Sequence, residues 1–250
     1  MTNKLNLKQT YTNLVTRLKT TSSSEHKGEH KAMARAIGGE FEAFGVIERE
    51  MLKFYGLAPN GYLIDVGCGS GRLALPASTW PKLKYLGTDI VSDLVDYART
   101  TVNRPDWKFA VVDELKIPEN DACADMVCFF SVVTHLLHEQ SYIYLEEAKR
   151  VLKPGGKIVF SFLEFQVPCH WDVFVSTIAD AKGSNQHPLN VFLSRDAIEA
   201  WAAHLDLNIV EIRNGDEPFV PLSEPVKLDD GRDMVGLGNL GQSICVLQKR

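Results

Sequence analysis

The sequence predicts an α/β protein built on a mostly parallel sheet with helices on both faces. Three observations predict it. From Tyr62 onward, short apolar runs alternate with helix-like stretches, the pattern of a doubly wound sheet. The runs are almost continuously apolar, as strands covered on both faces are. The first run ends in a glycine-rich turn, "DVGCGSGR", residues 65–72.

The elements follow in order. Residues 1–58 read as an N-terminal helical cap. Leu5, Leu14, Val15 and Leu18 line one face of a short helix, and residues 19–31, "KTTSSSEHKGEHK", read as a polar loop. A second helical pattern follows, with breaks expected at Gly38-Gly39 and near Gly45. Residues 59–250 form the sheet domain. Its strand-like runs are 62–66, 84–90, 108–112, 124–130 and 156–162. Helices are expected from Arg72 to Thr79, stopped by Pro81, and from Ser92 to Val102, with Ser92 as N-cap. A third runs from Gln140 to Leu152, ended by Pro154-Gly155-Gly156. Ser194 starts a last helix, and strands follow at 207–213 and 243–249. That makes seven strands, the last able to insert antiparallel after its long polar connection. Residues 163–193 exceed an ordinary connection and read as a lid insert.

Bulk composition narrows the functions. The 250 residues carry a net charge of −5, which argues against nucleic acid and anionic membrane surfaces as partners. The longest apolar stretch, around 125–133, is far below the roughly 20 residues a membrane span needs. The N-terminal stretch lacks an apolar core of signal-peptide length, so a cytoplasmic location is expected. The five cysteines contain no C-x-x-C pair and read as reduced thiols.

The glycine turn departs from two familiar loop chemistries. No Lys follows Gly71, so it is not a P-loop for phosphate. A dinucleotide fingerprint needs a glycine where Arg72 stands, which disfavours a nicotinamide oxidoreductase. A tight turn without ligand is the plain alternative. Three acids raise the signal: Asp65 in the first strand, Asp89 at the end of the second and Asp113 just past the third. A carboxylate in the position of Asp89 accepts hydrogen bonds from both ribose hydroxyls, and Asp113 is suited to an adenine edge.

The motifs "IDVGCGSG", "LGTDI", "VVDELKIPENDACADMVCFFSVVTHL" and "EEAKRVLKPGGKIVFSF" together resemble a class I S-adenosylmethionine-dependent methyltransferase. The resemblance is strong over about residues 60–163 and looser beyond. It implies strand order 3-2-1-4-5-7-6 with strand seven antiparallel. It implies S-adenosylmethionine as cofactor, with S-adenosylhomocysteine as product. Gly67, Cys68, Gly69, Ser70 and Gly71 would hold the methionine end, with Asp65 shaping the loop. Asp89 would take the ribose, and Ile90 would pack on the adenine. Asp113, Glu114 and Leu115 would meet the adenine edge. Phe130 and Ser131 would border the sulfonium.

Methyl transfer is an in-line displacement at carbon, so positioning and water exclusion dominate. An oxygen or nitrogen acceptor also sheds a proton, and His135 is the candidate general base. His138 reads as a surface or capping residue. Arg35, Phe41, Glu164 and Trp171 are candidate acceptor-binding residues. The cap (Tyr11, His30, Arg35, Phe41, Phe44) and the insert (Phe165, His170, Trp171, Phe174, His187) are expected to form the acceptor lid. His26 and His30 stand at i, i+4, but Gly28 between them argues against a metal site, and none is expected. The expected acceptor is a small molecule, methylated on O or N, and the protein a monomer or homodimer. The competing readings are a protein or RNA methyltransferase and a non-catalytic S-adenosylmethionine-binding module.

Overall fold

The computed structural model describes residues 7–21, 26–183 and 190–250. Leu5 and His187 lie outside the described residues, as does the side chain of His26.

A seven-stranded sheet forms the centre. Its strands are β1 (Tyr62–Val66), β2 (Lys84–Asp89), β3 (Lys108–Val111), β4 (Ala124–Phe129), β5 (Leu152–Phe162), β6 (Leu207–Arg213) and β7 (Ser243–Lys249). They lie in the order β3-β2-β1-β4-β5-β7-β6. The first five run parallel, and β7 is antiparallel to both β5 and β6. The order reverses between β1 and β4, the position where open α/β sheets form a crevice at their carboxyl ends.

Alternation along each strand explains the two covered faces. Leu63, Met126, Cys128 and Val159 point to one side, where helix α3 (Phe41–Phe54), α4 (Ala74–Ala77) and α5 (Ser92–Val102) pack. Ile64, Val127, Ile158 and Phe160 point to the other, against α6 (His138–Val151) and α8 (Arg195–His204). Two further helices, α1 (Leu7–Thr21) and α2 (His26–Ile37), build a third small core. There Val15, Met33 and Ala36 meet Val91 and Leu94 at the start of α5.

The N-terminal region is helical, with corrections: α1 runs to Thr21, and α2 starts at His26 and passes through Gly28, within residues 19–31 that read as a polar loop. Gly38 and Gly39 do break the chain, both with positive φ. Gly45 does not, because α3 runs straight through it. Its lack of a side chain serves a tertiary contact: an added Cβ would run into the Arg72 carbonyl oxygen. The expected cap also shifts by one position, since Val91 precedes the first residue of α5. The insert after β5 carries a helix, α7 (Pro168–Lys182), which sequence pattern had left as a long segment.

Gly45→Ala should therefore destabilise the protein by about 2 kcal/mol, although alanine is the better helix former. Thermal melting checks this, with a fall of roughly 4–8 °C expected for a chain of this size.

Candidate functional site

The crevice between β1, β2 and β4 encloses about 940 Å³ of free space, its open mouth included. The glycine turn forms its floor and is braced by β2. The Gly67 and Cys68 amides both donate to the Thr88 carbonyl, at 2.7 and 2.9 Å. The Gly69 amide donates to Asp89 Oδ2 at 3.0 Å, and the Val91 amide to Oδ1 at 2.9 Å. Gly67 holds a φ of +74°, and the space of a Cβ there is filled by Val132. Glycine at this position is therefore required by protein packing as well as by backbone conformation.

The acids divide by environment. Asp65 is buried, accepting from the Tyr85 hydroxyl at 2.6 Å and contacting Cys128 Sγ at 3.5 Å. Burial pushes its carboxyl up to about 6, against the hydrogen bonds from Tyr85 and Cys128. Burial also raises Asp89, against the amides of Val91 and Gly69. Asp113 behaves differently: its side chain is 67% exposed and pairs with Lys8 of α1 at 3.0 Å.

At the other end, β4 finishes in Phe130 and Ser131. Ser131 adopts φ +58°, unusual for a residue with a side chain. Its amide donates to Ser161 Oγ at 2.7 Å, and Gln242 Nε2 donates to its hydroxyl at 3.1 Å. A short helical turn then sets His135 on the wall, edge-on to the Tyr11 ring at 5.7 Å. Tyr11 comes from α1, which lies across the crevice.

The predicted residues sort as follows. Asp65, Gly67, Cys68, Gly69 and Asp89 line the crevice, as do Ile90, Phe130, Ser131 and His135. Ser70 does not line it; its hydroxyl ties the turn to the Met33 carbonyl of α2 at 3.1 Å. Gly71 packs on Ala98 of α5. Asp113, Glu114 and Leu115 stand outside the lining, where Val112 is the residue of that segment that faces in. Tyr144 contributes to the wall and donates to the Glu114 carbonyl at 3.4 Å.

The acceptor candidates need correction. Glu164 is 2% exposed and committed to the fold. Arg195 donates to both of its oxygens, at 2.7 and 2.8 Å, and Ser243 Oγ donates at 2.5 Å. Burial pushes this carboxyl up, but the Arg195 and Ser243 hydrogen bonds win and hold it below its usual value. Phe41 is buried beneath His30, and Arg35 is exposed away from the lining. Trp171 is half exposed in an aromatic group with Phe165, Phe174 and Phe192. His170 is fully buried, accepting at Nδ1 from the Glu164 amide and donating from Nε2 to the Gly241 carbonyl. His138 Nε2 lies 3.2 Å from the Phe192 carbonyl. His30 contacts the Tyr97 hydroxyl at 2.8 Å and Glu42 at 3.2 Å. Among the described residues no helix is long and apolar enough to cross a membrane.

Sequence reasoning missed a charged pair in the lining. Glu48 of α3 meets Arg72 Nη2 at 2.8 Å, and both side chains are buried. Arg72 Nη1 also donates to the Gly38 carbonyl at 3.1 Å. The signal was present: Glu48 falls within the stripe Phe44, Ile47, Met51, Tyr55, an acid on an apolar helix face.

Residues 64–160 match the family model described as a methyltransferase domain. That segment, from the first strand through most of β5, is similar to methyltransferase domains that use S-adenosylmethionine. Among its relatives, a malonyl-[acyl-carrier protein] O-methyltransferase of Hahella chejuensis is 30% identical over 40% of this chain and 36% of its own length. A Bos taurus protein named as a probable tRNA methyltransferase is 30% identical over 40% of this chain and 21% of its own. An O-methyltransferase of Penicillium expansum is 26% identical over 75% of this chain and 65% of its own. The match thus spans less than two thirds of these relatives. The solved magnesium protoporphyrin IX methyltransferase of Synechocystis, with bound SAH, shares the fold. It is 13% identical with a TM-score of 0.57, over 94% of this chain and 91% of that one.

The residues present fit S-adenosylmethionine as a ligand. Each Asp89 oxygen takes one backbone amide and keeps an acceptor position, as two ribose hydroxyls require.

One pH effect follows from Glu48. Burial, with Asp65 adding to it and Arg72 opposing, pushes its carboxyl up to about 7 from 4.5. The folded state holds this proton more tightly than the unfolded one, so stability is lost as pH rises from about 4.5 to about 7. The melting temperature of Glu48→Gln should fall less across that range than that of the parent protein, measured without ligand.

Proposed function

We propose that this protein transfers the methyl group of S-adenosylmethionine to an oxygen or nitrogen of a small-molecule acceptor. The observation that carries the donor half is Asp89. Its carboxylate is fixed by the Gly69 and Val91 amides and keeps two acceptor positions for ribose hydroxyls. Ile90 and Val112 supply apolar surface for a base, and the glycine turn takes the amino-acid end.

The bound donor supplies an activated methyl on a sulfonium, already a good leaving group. The protein's own residues position, exclude water and accept a proton. Phe130 and Val132 give the reacting end an apolar wall. The Ser131 hydroxyl, oriented by Gln242, offers a polar contact for an acceptor atom. An imidazole nitrogen of His135 takes the proton that an O–H or N–H acceptor sheds. Small acceptors are favoured because α1 lies across the crevice, with the Tyr11 ring edge-on to His135. A macromolecule would have to displace that helix to reach the same point.

A screen of small-molecule pools with labelled donor tests the acceptor class. Asp89→Ala should weaken S-adenosylhomocysteine binding by calorimetry by about 2 kcal/mol or more, as expected for a lost charge-assisted contact; unchanged affinity would remove the ribose assignment. His135→Ala should lower turnover roughly 100-fold while sparing that affinity. Undiminished turnover would exclude it as the base.

A further inference from the structure

The buried pair Glu48–Arg72 is unusual for a structural ion pair. The Glu48–Arg72 contact is ionic without full alignment: Glu48 Oε1 has only Arg72 Nη2, at 2.8 Å, and Arg72 Nε is buried with no hydrogen-bond partner. Buried polar atoms without partners are rare in folded proteins, and each calls for a physical reason. Both residues line the crevice, beside the glycine turn and Asp65. Side-chain exposures are 1% for Glu48 and 9% for Arg72, so the charges face each other and the crevice rather than solvent.

The amino-acid end of the donor is a zwitterion, one ammonium and one carboxylate on a single carbon. Its complement is one carboxylate and one guanidinium, side by side. We infer that Glu48 and Arg72 form this complement: Arg72 takes the carboxylate, Glu48 takes the ammonium, and the pair exchanges its mutual contact for the two ligand charges. This rests on the donor assignment above and deepens it. The two are specificity-determining residues for the amino-acid end, since a nucleoside lacking it leaves the pair as it is.

The geometry supports the exchange. Arg72 is anchored independently of Glu48, through Nη1 to the Gly38 carbonyl, so losing the Glu48 contact does not release it. Glu48 is fixed on α3, whose Gly45 seats the helix directly on the Arg72 backbone. The two charges therefore stay adjacent while their partners change. Asp65, the other acid nearby, already accepts from Tyr85 and contacts Cys128. Glu48, by contrast, is engaged by the Arg72 guanidinium, the group that the ligand carboxylate would draw away.

Two ligands separate this role from a structural one. S-adenosylhomocysteine carries the zwitterion; 5′-methylthioadenosine is a matching nucleoside thioether without it. Calorimetry on the full chain should show the first binding much more tightly. Glu48→Gln and Arg72→Lys should each weaken S-adenosylhomocysteine by ~30-fold or more, the scale of a buried charge left unpaired. Binding of 5′-methylthioadenosine should change by less than about threefold. The double variant E48Q/R72M, neutral and of similar volume, guards against failure of the single variants to fold, because such replacements of buried pairs are tolerated. It should bind both ligands with similar affinity. A preference for S-adenosylhomocysteine in the folded double variant equal to that of the parent protein would overturn the inference. So would equal weakening of both ligands. If the parent protein binds neither compound, the donor reading itself fails, and this one with it.

Discussion

The crevice depends on one carboxylate. Asp89 ends β2 and reaches back to the Gly69 amide and forward to the Val91 amide. It thereby joins the turn after β1 to the start of α5. The Thr88 carbonyl adds two more amides from the same turn. Parallel strands share no turn, so this cross-strand bracing is what fixes the loop relative to the sheet. Charge-assisted bonds to buried amides are stronger than neutral ones, and burial of Asp89 raises what each is worth.

A second constraint ties the helical cap to the loop. α3 presses on the Arg72 carbonyl through Gly45, Arg72 holds the Gly38 carbonyl, and Ser70 holds the Met33 carbonyl. Two residues of the loop, Ser70 and Arg72, are thus held by α2, the Gly38 turn and α3. The cap and the glycine turn form one mechanical unit. α1 is held more lightly, by exposed pairs of Lys8 with Asp113 and Lys19 with Asp93 and by Val15 in its small core. Exposed pairs of this kind contribute little and are screened by salt.

The sheet was legible in the sequence because its signals are local. Each strand is a short apolar run bounded by turn residues, and the antiparallel seventh follows from its long connection. The glycine turn, Asp65 and Asp89 were legible for the same reason. What escaped were residues whose role is set by distant partners. Gly45 reads as a helix break until the Arg72 backbone stands against it. Glu164 reads as a candidate acceptor-binding acid until Arg195, 31 residues on, encloses it. Arg72 reads only as a missing glycine until α3 brings Glu48 against it. Asp113 sits at the right strand end, yet the cleft takes its neighbour Val112 instead, because alternation turns successive side chains opposite ways.

The antiparallel strand β7 has a consequence for the order in which the site is assembled. The donor floor is made from residues 62–91, neighbours in the chain, and closes through short loops. The far end of the crevice is not local: Ser131 is oriented by Gln242, 111 residues later, and nearby Glu164 is closed by Ser243, 79 residues later. Contacts of such span carry a larger closure entropy than those between neighbouring segments. During synthesis the residues of the glycine turn and β2 are therefore complete well before β7 emerges and inserts between β5 and β6 to orient Ser131.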